Sequence, residues 1–256
     1  MRGGFHLKAK EYREKMDPID KYPHAWAKEQ IASGNFLPSF TSIQLESAQD
    51  GTDGSLSEEQ EDIVRWCSSA LYVGGADTTV SVMTSFFLMM SLYPDVQKRA
   101  QEELHNVVGQ ERLPVLDDRK NLPYVNALIN EVMRWAPPAP LGVPHRVTKE
   151  DEYMGYRIPG GATVYANIWA ITHDPEVYKD PETFDPTRYL RETPEPDSRK
   201  FVFGFGRRVC PGAQFAEDSL FFNIARILST FDIRKAVDEN GHEVEPKVEF
   251  TSAVTR

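Results

Sequence analysis

Phe203-Gly204-Phe205-Gly206-Arg207-Arg208-Val209-Cys210-Pro211-Gly212 decides how this chain is read. Glycines punctuate the segment, and an amphipathic helical pattern follows from about Ala213 to Leu228. A single cysteine just before a helix start is a poor staple but a good place to hold a thiolate against a metal. The positive end of the helix stabilises an anionic sulfur. Gly206 and Gly212 let backbone N–H groups approach without side-chain obstruction. Arg208 adds a cation suited to a carboxylate. The plainer alternative is a small buried residue near a helix end.

The rest of the composition narrows the classes. The chain has 256 residues, 40% of them hydrophobic, enough for one large domain or two small ones. A net charge of −10 with no basic run argues against nucleic acid as a partner. The two cysteines, Cys67 and Cys210, lie in different contexts, so a disulfide framework is not expected. No secretory signal precedes the charged first helix. Leu71 to Tyr93 is long enough to span a bilayer, but Gly74-Gly75, Asp77 and its Ser and Thr residues favour a long helix buried in protein.

Periodicity and punctuation place the elements. A charged helix is predicted over Phe5 to Met16, ending at Asp17-Pro18, and another over Ala25 to Ser33. Gln49 to Ser55 reads as a polar loop. Ser57 caps a helix with Glu58, Glu59 and Glu61 in its first turn, running to about Leu92. Pro94 opens the next helix and Gly109 ends it; Pro123 opens another that runs to Trp135. Strand-like pieces follow at Val143–Thr148, Tyr153–Ile158 and Thr163–Ala166, with Gly160-Gly161 suggesting a hairpin between the last two. Asp174 to Arg199 is a Pro- and Asp-rich meander of the kind kept for function. Phe231 to Arg256 reads as strands and turns. Cys67 and the run Phe86-Phe87-Leu88-Met89-Met90 read as packing residues.

The cysteine loop resembles the haem-binding signature of the cytochrome P450 family. Phe203, Gly206, Arg208, Cys210 and Gly212 match every fixed position of that signature. The resemblance implies a mainly α fold with small β-sheets. It also implies that Cys210 ligates the iron of haem (heme b, iron protoporphyrin IX), with Phe203, Gly206, Arg208 and Gly212 around the cofactor.

Three further sites agree with it. Gly74-Gly75 weakens a helix interior by roughly 1 kcal/mol per glycine, as if a flat ligand lay against it. Asp77-Thr78 sets an acid beside an alcohol, able to relay protons. The alternative is a kinked core helix whose threonine bonds back to its own turn. The resemblance assigns Asp77 and Thr78 to dioxygen activation on the distal face. Glu131 and Arg134 share a helix face at i and i+3, and by themselves read as a surface ion pair. The resemblance instead makes Glu131, Arg134 and Arg188 a structural triad that fixes the cysteine loop; Thr187 departs from the glutamate usual in that motif. Of His145 and Arg146, neighbours on a strand, one should face the cofactor. The resemblance points to His145 as a propionate ligand, the alternative being a solvent-facing basic pair. His6, His24, His105, His173 and His242 show no metal-ligand spacing.

The resemblance covers nearly the whole chain, as the C-terminal part of one catalytic domain roughly twice this length, shortened at the N-terminus and at the C-terminus. It divides the chain into helices and loop (1–56), the distal oxygen-activating helix (57–93), helices ending in Glu-x-x-Arg (94–135), small sheet and meander (136–200), and cysteine loop, proximal helix and terminal strands (201–256). It implies a monooxygenase that inserts one atom of O2 into a hydrophobic small molecule. Electrons would come from NADPH-cytochrome P450 reductase or a similar donor docking near Lys200 and Arg207. Tyr72, Val73, Ala76 and Ala139–Val143 would line the pocket. The pattern looks like fungal enzymes of secondary or xenobiotic metabolism. The full-length form is expected on the cytosolic face of the endoplasmic reticulum membrane. This chain lacks the anchor and is expected in the cytoplasm. The rivals are a non-catalytic fragment and a haem-thiolate isomerase or dehydratase; Asp77-Thr78 argues against the latter.

Overall fold

The computed structural model describes residues 4–49 and 56–250. Its helices are α1 (Gly4–Ala32), α2 (Phe40–Gln49), α3 (Glu58–Leu92), α4 (Pro94–Val108) and α5 (Pro123–Trp135). Four short strands follow: β1 (His145–Arg146), β2 (Asp151–Tyr153), β3 (Tyr156–Ile158) and β4 (Thr163–Val164). Helices α6 (Ile168–Thr172), α7 (Arg199–Val202) and α8 (Ala213–Thr230) complete the order. The chain forms two compact units, Met1–Ala76 and Asp77–Arg256. No helix among the described residues is long and apolar enough to cross a membrane.

In the first unit, α1 corrects a prediction. The chain does not break at Asp17-Pro18; one helix runs through Pro18 and Pro23. Each proline removes a backbone hydrogen bond and crowds the preceding turn. Contacts on both sides of them hold the helix regardless. Lys21 bonds Asp17 at 2.7 Å, and His24 Nε2 meets Glu61 Oε1 at 3.2 Å, where Lys28 Nζ also donates at 2.7 Å. Arg65 Nε stands 2.9 Å from the buried Asp20 carboxylate, as an ion pair without hydrogen-bond alignment. Long-range charge pairing thus overrides local propensity. At the start of α3, Gln60 N–H donates to Ser57 Oγ (3.2 Å) and Ser57 N–H to Gln60 Oε1 (2.9 Å), a reciprocal capping box. Cys67 is exposed rather than packed, because its turn of α3, with Ile63 and Trp66, faces outward from this unit. Most of the expected polar loop, residues 50–55, lies outside the described residues.

The second unit carries the main core. Phe86, Met89 and Met90 of α3 are fully buried at i, i+3, i+4 spacing, while Phe87 turns outward. They pack with Leu104 of α4, Val125, Leu128 and Val132 of α5, and Phe221 and Ile224 of α8. Pro94, Gly109 and Pro123 punctuate the helices where expected. Past α8, Gln97 clasps Ile233 with two hydrogen bonds, at 2.9 and 2.7 Å. Only one bridge, Val237↔Glu243, forms in the described part of the terminal segment, so the strands expected there are absent among the described residues.

The small sheets differ from expectation. Tyr153–Ile158 is not one strand but turns back on itself as the β2–β3 hairpin, pairing Tyr153 with Tyr156. Met154 and Gly155 both have positive φ (53° and 81°), the backbone of a two-residue turn whose twist suits a hairpin. Strand β4 pairs instead with β1, His145 opposite Val164. Gly161 serves that pair, its N–H donating to Val147 O at 2.7 Å.

Between α4 and α5, a 3-10 turn (Leu116–Asn121) is anchored by Asp118. Arg112 donates to both carboxylate oxygens at 2.7 Å and Val115 N–H adds a third bond at 2.9 Å. Arg112 and then Val115 hold Asp118 down to about 2. A depressed folded pKa stabilises above the unfolded value and loses that stability as pH falls through the folded value. Because Arg112 is half exposed and screened, Asp118 should contribute about 1–2 kcal/mol at neutral pH, fading between about pH 4 and pH 2. Urea titrations across that range should show the loss, and Asp118→Asn should abolish this component.

Candidate functional site

Helix α5 is buried almost throughout, including Glu131 and Arg134, whose side chains have no exposed surface. Arg134 Nε donates to Glu131 Oε2 at 2.8 Å and Nη2 to Oε1 at 2.9 Å. Arg188 Nε reaches the same carboxylate at 3.1 Å, and Asp185 N–H donates to Oε1 at 2.9 Å. The arginines spend their other donors on backbone carbonyls. Arg134 bonds Thr172 O (2.8 Å) and Thr183 O (3.3 Å); Arg188 bonds Lys179 O (2.9 Å) and Thr183 O (2.9 Å). Arg188 also pairs with Glu195. Two cations thus face two carboxylates, which is what makes burial of the group tolerable. Thr187 contributes separately, its N–H and hydroxyl both donating to Asp185 Oδ1 and so capping the 3-10 turn Pro186–Tyr189.

From this cluster the chain is held up to the cysteine loop. Tyr178 donates to Pro196 O at 3.1 Å, and burial pushes its phenol well above its ordinary value. Ser198, fully buried, donates to the backbone and side-chain oxygens of Asn130, the neighbour of Glu131. Helix α7 follows at once and delivers Phe203.

The loop closes on itself at its base: Cys210 N–H donates to Phe203 O at 2.7 Å. Inside it, Arg208 N–H donates to Phe205 O (3.1 Å) and Val209 N–H to Gly206 O (3.3 Å). Gly204 (φ 82°) and Gly206 (φ 54°) occupy left-handed backbone, where an L side chain is strained. A Cβ on Gly204 would also come within 3.4 Å of Arg208 O, whereas the space beside Gly206 is open. Gly212 (φ −91°) is under no such constraint, and a Cβ there would sit 3.9 Å from Cys210 Sγ, an ordinary contact. The sulfur therefore stands beside the first turn of α8. Cys210 is exposed, with Phe205, Val209 and Phe215 (76% exposed) presenting apolar surface near it in sequence.

The remaining residues singled out from sequence lie on other elements. Asp77 is exposed and Thr78 half-buried, both on α3. Arg146 lies over Gly161, where a Cβ would be 3.5 Å from its Nη2, so its strand neighbour His145 projects from the opposite face. Among the described residues, no hydrogen bond or ion pair engages the side chains of Arg208 or His145, and both are exposed. Tyr72, Val73, Leu141 and Val143 are exposed apolar residues, while Pro140 is buried. Sequence reading missed Gly204, Ser198–Asn130 and an ion-pair group of Arg119, Arg199 and Glu217. Gly204 could have been noticed from its place in the loop. The others join residues far apart in the chain and leave no local signal.

A profile described as Cytochrome P450 matches residues 10–253. The cytochrome P450 monooxygenase claR of Ampulloclitocybe clavipes is 47% identical over 255 residues, covering 97% of this chain and 46% of that protein. The cytochrome P450 monooxygenase 208 of Postia placenta is 44% identical over 252 residues, covering 97% and 48%. A zebrafish cytochrome P450 solved with abiraterone superposes with a TM-score of 0.62 at 34% identity, over 73% of this chain and 44% of that one. The chain spans about half the length of the curated relatives it matches.

Removing one member of the buried cluster leaves its partners charged in a dry site. Glu131→Ala should therefore cost about 3–5 kcal/mol. Chemical denaturation of the variant should show it directly, whereas Glu150→Ala in the exposed pair Arg157–Glu150 should leave the unfolding midpoint unchanged.

Proposed function

The chain belongs to the cytochrome P450 family, and from that premise we propose that it forms the haem-thiolate half of a monooxygenase. The observation that carries this reading is the exposed Cys210 sulfur beside the first turn of α8, on a loop whose backbone needs glycine at 204 and 206.

The residues present fit haem. Among the described residues no cluster of three or more His, Cys, Asp or Glu is placed to hold a metal. A metal at Cys210 would then take most of its coordination from the group that carries it, as a macrocycle provides. The open space at Gly206 and the apolar Phe205 and Val209 suit a flat apolar face. Arg208 and His145, exposed and without protein partners among the described residues, suit its carboxylates. When bound, haem supplies activation of dioxygen and transfer of one oxygen atom to an organic substrate.

The chain's own residues then do the following. Cys210 Sγ, beside the N-terminal turn of α8, would hold the haem iron. Arg208 and His145 orient the cofactor through its propionates. Thr78 Oγ1 hands on a proton, and the exposed Asp77 carboxyl restores it from solvent. Glu131, Arg134 and Arg188 brace the segment that leads into the loop. Exposed Leu141 and Val143 contribute apolar surface to a hydrophobic substrate. Lys200 and Arg207 meet an acidic electron donor such as NADPH-cytochrome P450 reductase. The relatives are fungal, which favours secondary metabolism at the cytosolic face of the endoplasmic reticulum for the whole protein.

Two measurements test this reading. The chain should be loaded with haem, reduced, and exposed to carbon monoxide. The expected result is the strongly red-shifted Soret band of a thiolate ligand, kept in Cys67→Ser and lost in Cys210→Ser. A neutral-ligand band in the unaltered chain counts against it. In the haem-loaded protein supplied with a reductase, Thr78→Ala should lower product formed per oxygen consumed by about tenfold or more while oxygen uptake persists. Unchanged coupling would remove Thr78 from the relay.

A further inference from the structure

Glu217 occupies a place that the haem-thiolate reading does not use. Arg199, the first residue of α7, stands where the chain enters the cysteine loop; Glu217, in the second turn of α8, stands where it leaves. Arg199 Nη1 donates to Glu217 Oε2 at 3.0 Å, and Arg119 Nη2 donates to the same oxygen at 2.7 Å. Arg119 comes from the 3-10 turn Leu116–Asn121 and is itself oriented by Asn126 Oδ1 at 2.9 Å. About four-fifths of the Arg119 and Glu217 side chains are withdrawn from solvent. This is not the exposed, salt-screened kind of ion pair that contributes little.

The partners are distributed unevenly. Arg119 also bonds Asp218 Oδ1 at 3.0 Å, and Arg199 also grips Asp197 through Nε at 2.9 and 3.0 Å. Each arginine therefore keeps a carboxylate if Glu217 is removed. Among the described residues, Glu217 alone is hydrogen-bonded to both. Losing it would leave no arginine unpaired, but it would uncouple the entry stem of the loop from the exit stem. Asp218 differs: it bonds Arg119 and Gln214 and ties nothing across the loop.

We propose that Glu217 is a positioning residue for the Cys210 thiolate. Its carboxylate sets the separation of the two loop stems, and so fixes where Sγ stands relative to the first turn of α8. Without that link, the polar ties left at the base of the loop are its own short hydrogen bonds, Cys210 N–H to Phe203 O and Arg208 N–H to Phe205 O, beside the non-directional packing of Val202 and Phe203 on the core. Bonds of that kind open by local fluctuation without global unfolding. The proposal deepens the haem-thiolate reading and, for the ligand, rests on it.

The test uses the full 256-residue chain with Glu217→Ala, Glu217→Gln and Asp218→Ala. Hydrogen exchange, read without haem, should accelerate by about tenfold or more at the Cys210 and Arg208 amides in Glu217→Ala. It should rise less in Glu217→Gln, whose amide oxygen still accepts, and stay within about twofold in Asp218→Ala. The Ala136 amide at the end of α5 should not change in any of them. In the haem-loaded, carbon monoxide-bound protein, Glu217→Ala should move part of the population from the thiolate band to the neutral-ligand band, with Asp218→Ala like the parent. Equal behaviour of Glu217→Ala and Asp218→Ala overturns the proposal. So does acceleration at Ala136 equal to that in the loop, which would make Glu217 a general brace. A parent chain with no thiolate band instead overturns the haem reading, and the exchange comparison still decides whether Glu217 sets the loop.

Discussion

A carboxylate with no exposed surface, Glu131, is the constraint on which the second unit depends. An ion taken out of water is tolerable only if its partners are close, well aligned and themselves satisfied. Arg134, Arg188 and the Asp185 N–H supply the partners. The carbonyls of Thr172, Lys179 and Thr183 satisfy the arginines. The carbonyls of Lys179 and Thr183 belong to a stretch with little regular structure, and that of Thr172 ends α6. The meander acquires a defined path because its backbone oxygens complete the coordination of buried cations, where a helix or sheet would have used ladder bonds.

That path places the chemistry. Ser198 on Asn130 and Tyr178 on Pro196 carry the fixed geometry to α7, and the loop begins at its end. Gly204 and Gly206 then bend the backbone through left-handed conformations so that Cys210 returns to Phe203 O. The sulfur comes to rest beside α8, whose first turn favours negative charge. A rigid ion cluster, a glycine-turned loop and a helix start thus act in series. Each holds the next.

Where local sterics dominate, sequence reading and structure agree. Pro94, Gly109 and Pro123 mark helix ends because fixed φ, a missing N–H and glycine's freedom act within one turn. The Ser57 cap is legible for the same reason. Disagreement appears where distant groups intervene. Helix α1 survives two prolines with side chains of α3 paired along it. The hairpin turns at Met154-Gly155 instead of Gly160-Gly161, because the second glycine pair serves the β1–β4 ladder. Cys67, on the long helix before its glycines, reads as packing, yet that face of α3 points outward in its unit.

The sequence by itself determined the family signature: ten consecutive residues, Phe203 to Gly212, with glycines where the backbone turns and a cysteine before a helix. Such a loop depends mainly on its own dihedrals, so its meaning survives without the rest of the fold. Only the tertiary structure decided what holds that loop in place. Asn130 with Ser198, and Glu217 between Arg119 and Arg199, meet across separations of 68, 98 and 18 residues. Charges so far apart in the chain carry no local pattern. Their partnership exists only once a packed core has brought them together in a dry enough place for it to matter.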